Sequence, residues 1–427
     1  MKSLFFFGKS GIEVDIPQGF ACHEVRSRKA VAVDDETAAV NHALDHPVAC
    51  EPLIEMARGK KTAAISVCDI TRPAPNRITL PPLLARLEAA GIARENIRIL
   101  IATGLHRAAT KEEIDQIVGP EIATKYAVLN HDARDFSAHR SIGNTRRGTP
   151  VYVDERFVSA DLHITLGFIE QHLMLGYSGG RKLIFPGLAA QETIKVIHSP
   201  KFIREPLATE GSIEGNPLHE ELLECARMVR HDFIVDVALT QERKIAGVFA
   251  GDPVKAHAAG VEFVQRACLE EIDEPADVVI TSAAGFPLDL TFYQSVKGIT
   301  AATHLAKPGG KILLIAECAE GMGSPEFARV IRNMGDFAAY LDQVRDQPVD
   351  VDRWQVEKLA LSGVSHELYY YAPGVSKDEL GALGARSFGT LDEAVSAVLQ
   401  GLPAKARVLL VPEGPYTLAR ATAPVNA

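Results

Sequence analysis

The sequence predicts an α/β protein of two domains, each built on a mainly parallel sheet. Three observations lead there. Apolar, β-rich runs alternate with helical stretches from about Lys61 onward. Each run ends in a polar or glycine-containing cluster. A chain of 427 residues is also longer than one hydrophobic core usually organises.

The opening stands apart from this alternation. Residues 4–7 are apolar, residues 12–16 alternate apolar and acidic, and the two flank Gly8-Lys9-Ser10-Gly11, which reads as a hairpin. Residues 62–67 form a β-rich run ending in Cys68-Asp69-Ile70-Thr71-Arg72-Pro73. The leucines of 81–90 have helical spacing, and 97–102 is a buried strand running into Thr103-Gly104-Leu105-His106. Thr110 and Glu113 form a capping box for the next helix. Residues 161–166 are another apolar strand, followed by Gly167-Phe168-Ile169-Glu170-Gln171-His172. A helix over 253–271 leads to a second unit that starts near Asp273, with strands at 277–281 and 311–316 around a helix at 294–305. The expected division is a first domain over 1–270, joined by the last strand within 404–427, and a second over 275–400. The Ala-rich tail from Ala421 is expected to fray.

Composition excludes several classes. A net charge of −10 and a pI near 5.8 argue against a general nucleic-acid binder but leave room for a local basic pocket. The six cysteines are scattered without a CxxC pair, as buried apolar residues in a reducing compartment would be. The apolar run at 4–7 is cut short by Lys9 and Glu13, so it is no signal-peptide core, and no stretch is long enough to span a membrane. The cytoplasm is the default location.

In parallel sheets ligands gather past the carboxyl ends of strands, and Asp69, Arg72, His106 and His172 all occupy such positions. The most informative stretch is Gly176-Tyr177-Ser178-Gly179-Gly180-Arg181-Lys182. Its glycines let backbone N–H groups approach a ligand, and two cations follow. It is not a Walker A loop, because Arg181 replaces the last glycine and Leu183 follows the lysine. The plain alternative is a surface turn with two solvated cations. His106, His172 and His198 lie near loops or helix ends and suit proton transfer or metal ligation, whereas His131, His219, His257 and others read as structural. Arg72 suits a substrate carboxylate, with a local Asp69–Arg72 ion pair as the alternative. Lys297, in Tyr293-Gln294-Ser295-Val296-Lys297-Gly298, offers a second cation or an ordinary solvated lysine. No GxGxxG follows the early strands, which argues against an NAD dehydrogenase.

Taken in order, these segments resemble the nickel-dependent lactate racemase family. The resemblance rests on Asp69-Ile70-Thr71-Arg72-Pro73, Thr103-Gly104-Leu105-His106, and His172 followed by the Gly176–Lys182 stretch. It continues through Ile197-His198-Ser199, Tyr293 to Gly298, Arg353-Trp354 and the Val411-Pro412-Glu413-Gly414 ending. It implies two domains around an interdomain cleft and a racemase or epimerase of small 2-hydroxy acids. The implied cofactor is a nickel-pincer nucleotide of the pyridinium-3,5-bisthiocarboxylic acid mononucleotide type, supplied by cofactor-synthesis proteins. By motif position His198 would ligate nickel and Lys182 would link to the cofactor. Asp69, Gly176, Tyr177, Ser178, Gly179 and Gly180 would line the cofactor. His106 and His172 would be the acid/base pair, and Arg72, Lys297, Tyr293, Gln294 and Trp354 would bind substrate, with Asp69 orienting His106 or Arg72. Neither a nucleic-acid nor a membrane partner is implied, and homo-oligomerisation is left open. After His172 the chain has Leu173-Met174-Leu175, where a lactate-specific member is expected to carry a proline and an aromatic residue near the substrate side chain. That departure leaves longer, aromatic, dicarboxylic or sugar-derived acids open. Other uses of the same resemblance are a non-catalytic carrier of the nucleotide and another enzyme of 2-hydroxy or 2-keto acids.

Overall fold

A computed structural model describes residues 1–422; the end of the expected tail, 423–427, lies outside the described residues. Lys29–His198 and Leu207–Ala267 form one compact unit, the first unit below. Met1–Arg28, Ser199–Pro206 and the chain from Cys268 onward form the second.

The first unit contains a six-stranded sheet. In spatial order its strands are Ile245–Gly251, Phe233–Leu239, Leu162–Phe168, Ala63–Cys68, Ile97–Ala102 and Ala127–Asn130. Every pairing is parallel except that of the first two. Ala63–Cys68 and Leu162–Phe168 are buried at every position, as strands covered on both faces must be. The chain lays down Ala63–Cys68, winds outward on one side, then returns to build the other side from Leu162–Phe168. The winding therefore reverses between those two strands, and the crevice past their carboxyl ends is where such sheets hold ligands. The expected capping box is present, with Thr110 and Glu113 closing the start of the helix Lys111–Val118.

The second unit has a five-stranded, all-parallel sheet in the order Glu367–Tyr371, Ala306–Ile315, Ala276–Ser282, Arg407–Val411, Ala21–Glu24. This corrects the expected domain division. The last strand does not return to the first domain, and residues 1–28 do not belong there either. Arg407–Val411 is inserted between Ala276–Ser282 and Ala21–Glu24, pairing Val408 with both Val278 and Cys22. The N-terminal hairpin, Lys2–Phe5 with Ile12–Asp15, puts Phe5 and Val14 into the same core as Val278, Leu313 and Leu410. Hairpin alternation predicts a buried face but not which sheet it covers. Ala419–Ala421 pairs with Glu270–Ile272, so the tail is anchored to Ala421 at least. No helix among the described residues is long and apolar enough to cross a membrane.

Candidate active site

Asp69 is the first residue past the strand Ala63–Cys68 and is 6% exposed. Its Oδ1 accepts from the Thr71 N–H (3.2 Å) and hydroxyl (2.6 Å), while its Oδ2 lies 2.7 Å from His106 Nδ1. Burial opposes ionisation, but the bond from His106, then Thr71 and the Arg72 charge, outweigh it and hold the carboxyl below its usual range. The His106 ring, by contrast, is 52% exposed. Asp69 therefore orients His106 and pairs with Arg72 only through the field. Its carboxylate holds the Thr71 turn and sets the orientation of the His106 ring.

The loop bearing His106 is anchored to the next segment of the site by Gly104 N–H donating to Gly187 O (3.0 Å). Ser66 Oγ donates to Leu183 O (2.7 Å), tying the turn Gly180–Leu183 to the sheet at the winding reversal. His172 stands in a two-residue strand, Gln171–His172, paired with Gly176–Tyr177. Gly176 is required there, because φ is +72° and a Cβ would fall 2.0 Å from Ser212 O. Leu173, Met174 and Leu175 are all buried.

The glycine stretch is not a surface turn. Arg181 is 2% exposed and donates through Nη2 to Leu175 O (3.2 Å) and Tyr177 O (3.1 Å). His257 Nε2 donates to Ser178 O (2.7 Å), with Arg181 Nη1 3.0 Å away. Arg181 is thus an internal pin for the loop, which overturns the reading of two solvated cations. Two further residues of the loop are buried. Tyr177 is buried, and the Ser178 hydroxyl accepts from Glu170 N–H (3.0 Å) and donates to Phe168 O (2.7 Å). Lys182 is half-buried. Burial, then the Arg72 charge, lower its ammonium to about 8, so the amine is readily neutral. His198, also half-buried, donates from Nδ1 to Ile194 O (2.8 Å), which leaves its lone pair on Nε2. Burial holds its pKa down at about 4, so the ring is neutral.

Sequence reasoning missed Asp236. It lies in the strand Phe233–Leu239, fully buried, with neither carboxylate oxygen in a well-formed hydrogen bond. A Cβ on Gly179 would fall 2.6 Å from its Oδ2, and one on Gly167 2.8 Å from its Oδ1, so both glycines are needed for its space. Burial raises its pKa to about 7 against the opposing Gly180 N–H and Arg181 charge. A signal existed in Ile234-Val235-Asp236-Val237, where one acid interrupts a run otherwise fit for a doubly covered strand.

The remaining candidates lie in the second unit. Tyr293, Gln294 and Lys297 are on the helix Phe292–Thr303, capped by Thr291 Oγ1. Trp354, 9% exposed, is on the helix Arg353–Ser365, whose Gln355 Nε2 donates to Tyr293 O (2.9 Å). Gln294 Oε1 is buried without a hydrogen-bond partner, an acceptor suited to a bound donor. Among the described residues no three His, Cys, Asp or Glu side chains cluster as metal ligands.

Comparison with known proteins bears on the family of the whole chain. Residues 7–211 match the lactate racemase N-terminal domain family and residues 272–417 the lactate racemase C-terminal domain family. The chain is 33% identical to a lactate racemase of Thermoanaerobacterium thermosaccharolyticum, over 97% of this chain and 98% of that one. It is 35% identical to one of Lactiplantibacillus plantarum, over 89% and 90%. The solved lactate racemase apoprotein of T. thermosaccharolyticum superposes with a TM-score of 0.90 at 33% identity, covering 98% of this chain and all of that one. A Thermotoga maritima protein at 17% identity, TM-score 0.68, shares the fold. The chain belongs to the lactate racemase family and is a racemase.

Proposed function

We propose that this racemase inverts C2 of a small 2-hydroxy acid, lactate or a close relative, with the help of a nickel-pincer nucleotide. The observation that carries the reading is the buried Asp69 carboxylate 2.7 Å from the exposed His106 ring, at the winding reversal of the first sheet. That pair supplies a base held in one orientation.

The residues present fit the cofactor. His198 offers a neutral imidazole with its lone pair on Nε2, a borderline donor suited to Ni(II) in a planar set. Lys182 offers an amine that is easily neutral, as a covalent link would require. Gly176, Gly179 and Gly180 let the loop pack its backbone against Ser212, Asp236 and His257, which sets the loop's path beside Lys182. When bound, the nucleotide supplies a hydride acceptor, so that C2 loses its configuration without a free carbanion.

The chain's own residues do the rest. His106 takes the hydroxyl proton at Nε2 while Asp69 holds Nδ1–H. His172 serves the hydroxyl of the opposite hand. Arg72 and Lys297 hold the carboxylate, and Tyr293, Gln294 and Trp354 contact the substrate. The buried Leu173-Met174-Leu175 segment shapes the surroundings of His172 and keeps the choice of acid open.

The test is intact mass and metal analysis of protein co-produced with the cofactor-synthesis machinery, followed by single-enantiomer 2-hydroxy acids. Nickel, an added cofactor mass and inversion of one acid are expected. Folded protein that takes up neither nickel nor cofactor would overturn the reading.

A further inference from the structure

The two candidate histidines have unlike hydrogen-bond partners at the same ring position. His106 Nδ1 lies 2.7 Å from Asp69 Oδ2. An ionised carboxylate only accepts, so the hydrogen of the neutral ring sits on Nδ1 and the lone pair on Nε2. His172 Nδ1 faces donors instead, accepting from the N–H groups of Met174 and Leu175, both at 3.3 Å. A backbone N–H only donates, so here the lone pair is on Nδ1 and the hydrogen on Nε2. These donors are held in place. Arg181 Nη2 binds Leu175 O at 3.2 Å, and the turn closes at Gly176, where a Cβ would fall 2.0 Å from Ser212 O.

We infer that His106 and His172 rest in opposite tautomers, so that His106 is the base ready at Nε2 while His172 presents an Nε2–H donor. The functional meaning rests on the acid/base reading above; the tautomers themselves do not. For His172 to take a proton at Nε2, its ring hydrogen must first move to Nδ1, and the Met174 and Leu175 N–H groups must release that nitrogen. For His106 no such rearrangement is needed. The resting site is thus armed for the hand whose hydroxyl reaches His106 and must be reset for the other. The turn 172–176, where this chain carries Leu173-Met174-Leu175, is the part that yields.

The experiment is two-bond 1H–15N correlation of the imidazole rings in the full-length chain labelled at histidine, at a pH where both rings are neutral, before and after cofactor loading. His106→Gln and His172→Gln assign the signals. The unloaded chain should show the protonated nitrogen at Nδ1 for His106 and at Nε2 for His172. Asp69→Asn, which puts an amide donor opposite Nδ1, should shift only His106 toward the Nε2–H form. Equal tautomers, or a His172 signal that follows Asp69, would overturn the inference even if the enzyme racemises every acid offered. Opposite tautomers in a loaded protein that inverts no 2-hydroxy acid would uphold the inference and sink the racemase reading instead.

Discussion

The two sheets share a winding reversal and have opposite fates. Each winds outward from an early strand and reverses beside it, between Ala63–Cys68 and Leu162–Phe168 in the first unit and between Ala276–Ser282 and Arg407–Val411 in the second. At the first reversal Asp69 follows the strand end and Arg72 lies in the loop beyond it, with Lys182 in the turn tied to the sheet and Asp236 buried within the neighbouring strand. At the second the chain fills the crevice with itself. Ser282 Oγ donates to Pro412 O (2.8 Å), and Asp289 Oδ2 accepts from Gly8 N–H (2.7 Å) and Glu317 N–H (3.2 Å). Gly414 is pressed so close that a Cβ would fall 2.1 Å from Ser282 O. Topology designates where a ligand can sit. Whether space is left for one depends on how closely the chain's own backbone packs there, as Gly414 does against Ser282 O.

The largest effects should separate the units by kind. His106→Ala in the first unit should lower kcat/KM by roughly 10³–10⁴-fold, the range of a lost general base, in both directions alike. Its stability should change by only about 1 kcal/mol, as the ring is exposed and Asp69 keeps Thr71. Glu357→Ala in the second unit should do the reverse. Glu357 is fully buried and accepts from Arg204 (2.7 Å) and Arg353 (2.8 Å), so its removal leaves two guanidinium groups without their carboxylate. Breaking such a buried pair costs about 3–5 kcal/mol, read as a lower urea midpoint. A stable Glu357→Ala protein would show that the second unit is not held as described.

A smaller effect contrasts two buried carboxylates. Glu357 is clamped, whereas Asp236 has no well-formed hydrogen bond and its pKa is raised to about 7. Between about pH 4 and 7 the unfolded chain has released this proton and the folded chain retains it. Stability therefore falls as pH rises through that window and levels off above it. Asp236→Asn removes the window, so it should be near wild type at pH 4 and more stable by roughly 4 kcal/mol at pH 8. Equal pH slopes for the two proteins would mean that Asp236 is ionised in the fold.

Legibility in the sequence followed the range of the interactions. Ile97–Ala102 was readable because its own side chains set the pattern, and the capping box because it spans one turn. His106 could be singled out from its place past that strand, and the Asp69 partnership narrowed to two choices. What could not be read depends on distant pairing. Nothing in Arg407–Val411 says that it joins Ala276–Ser282 and Ala21–Glu24, since an apolar strand fits any sheet needing one. Arg181 read as solvated because its partners, Leu175 O and Tyr177 O, are assembled only by the fold.

The smallest effect bears on whether the two units serve one ligand. Arg72 in the first unit and Lys297 in the second are both proposed to hold the substrate carboxylate. Each single change to alanine should raise KM more than it lowers kcat, with Arg72→Ala the greater loss, because a guanidinium binds a carboxylate through two parallel bonds and an ammonium through a point charge. If both cations hold the same group, their losses cannot be independent. A carboxylate freed from one cation tilts away from the other, so the double variant should lose less than the product of the singles. The shortfall should be about 1 kcal/mol, or roughly fivefold in kcat/KM, within the coupling usual for residues sharing one partner. Losses that multiply would assign the two cations to different groups, and Lys297 would then revert to an ordinary lysine of its helix.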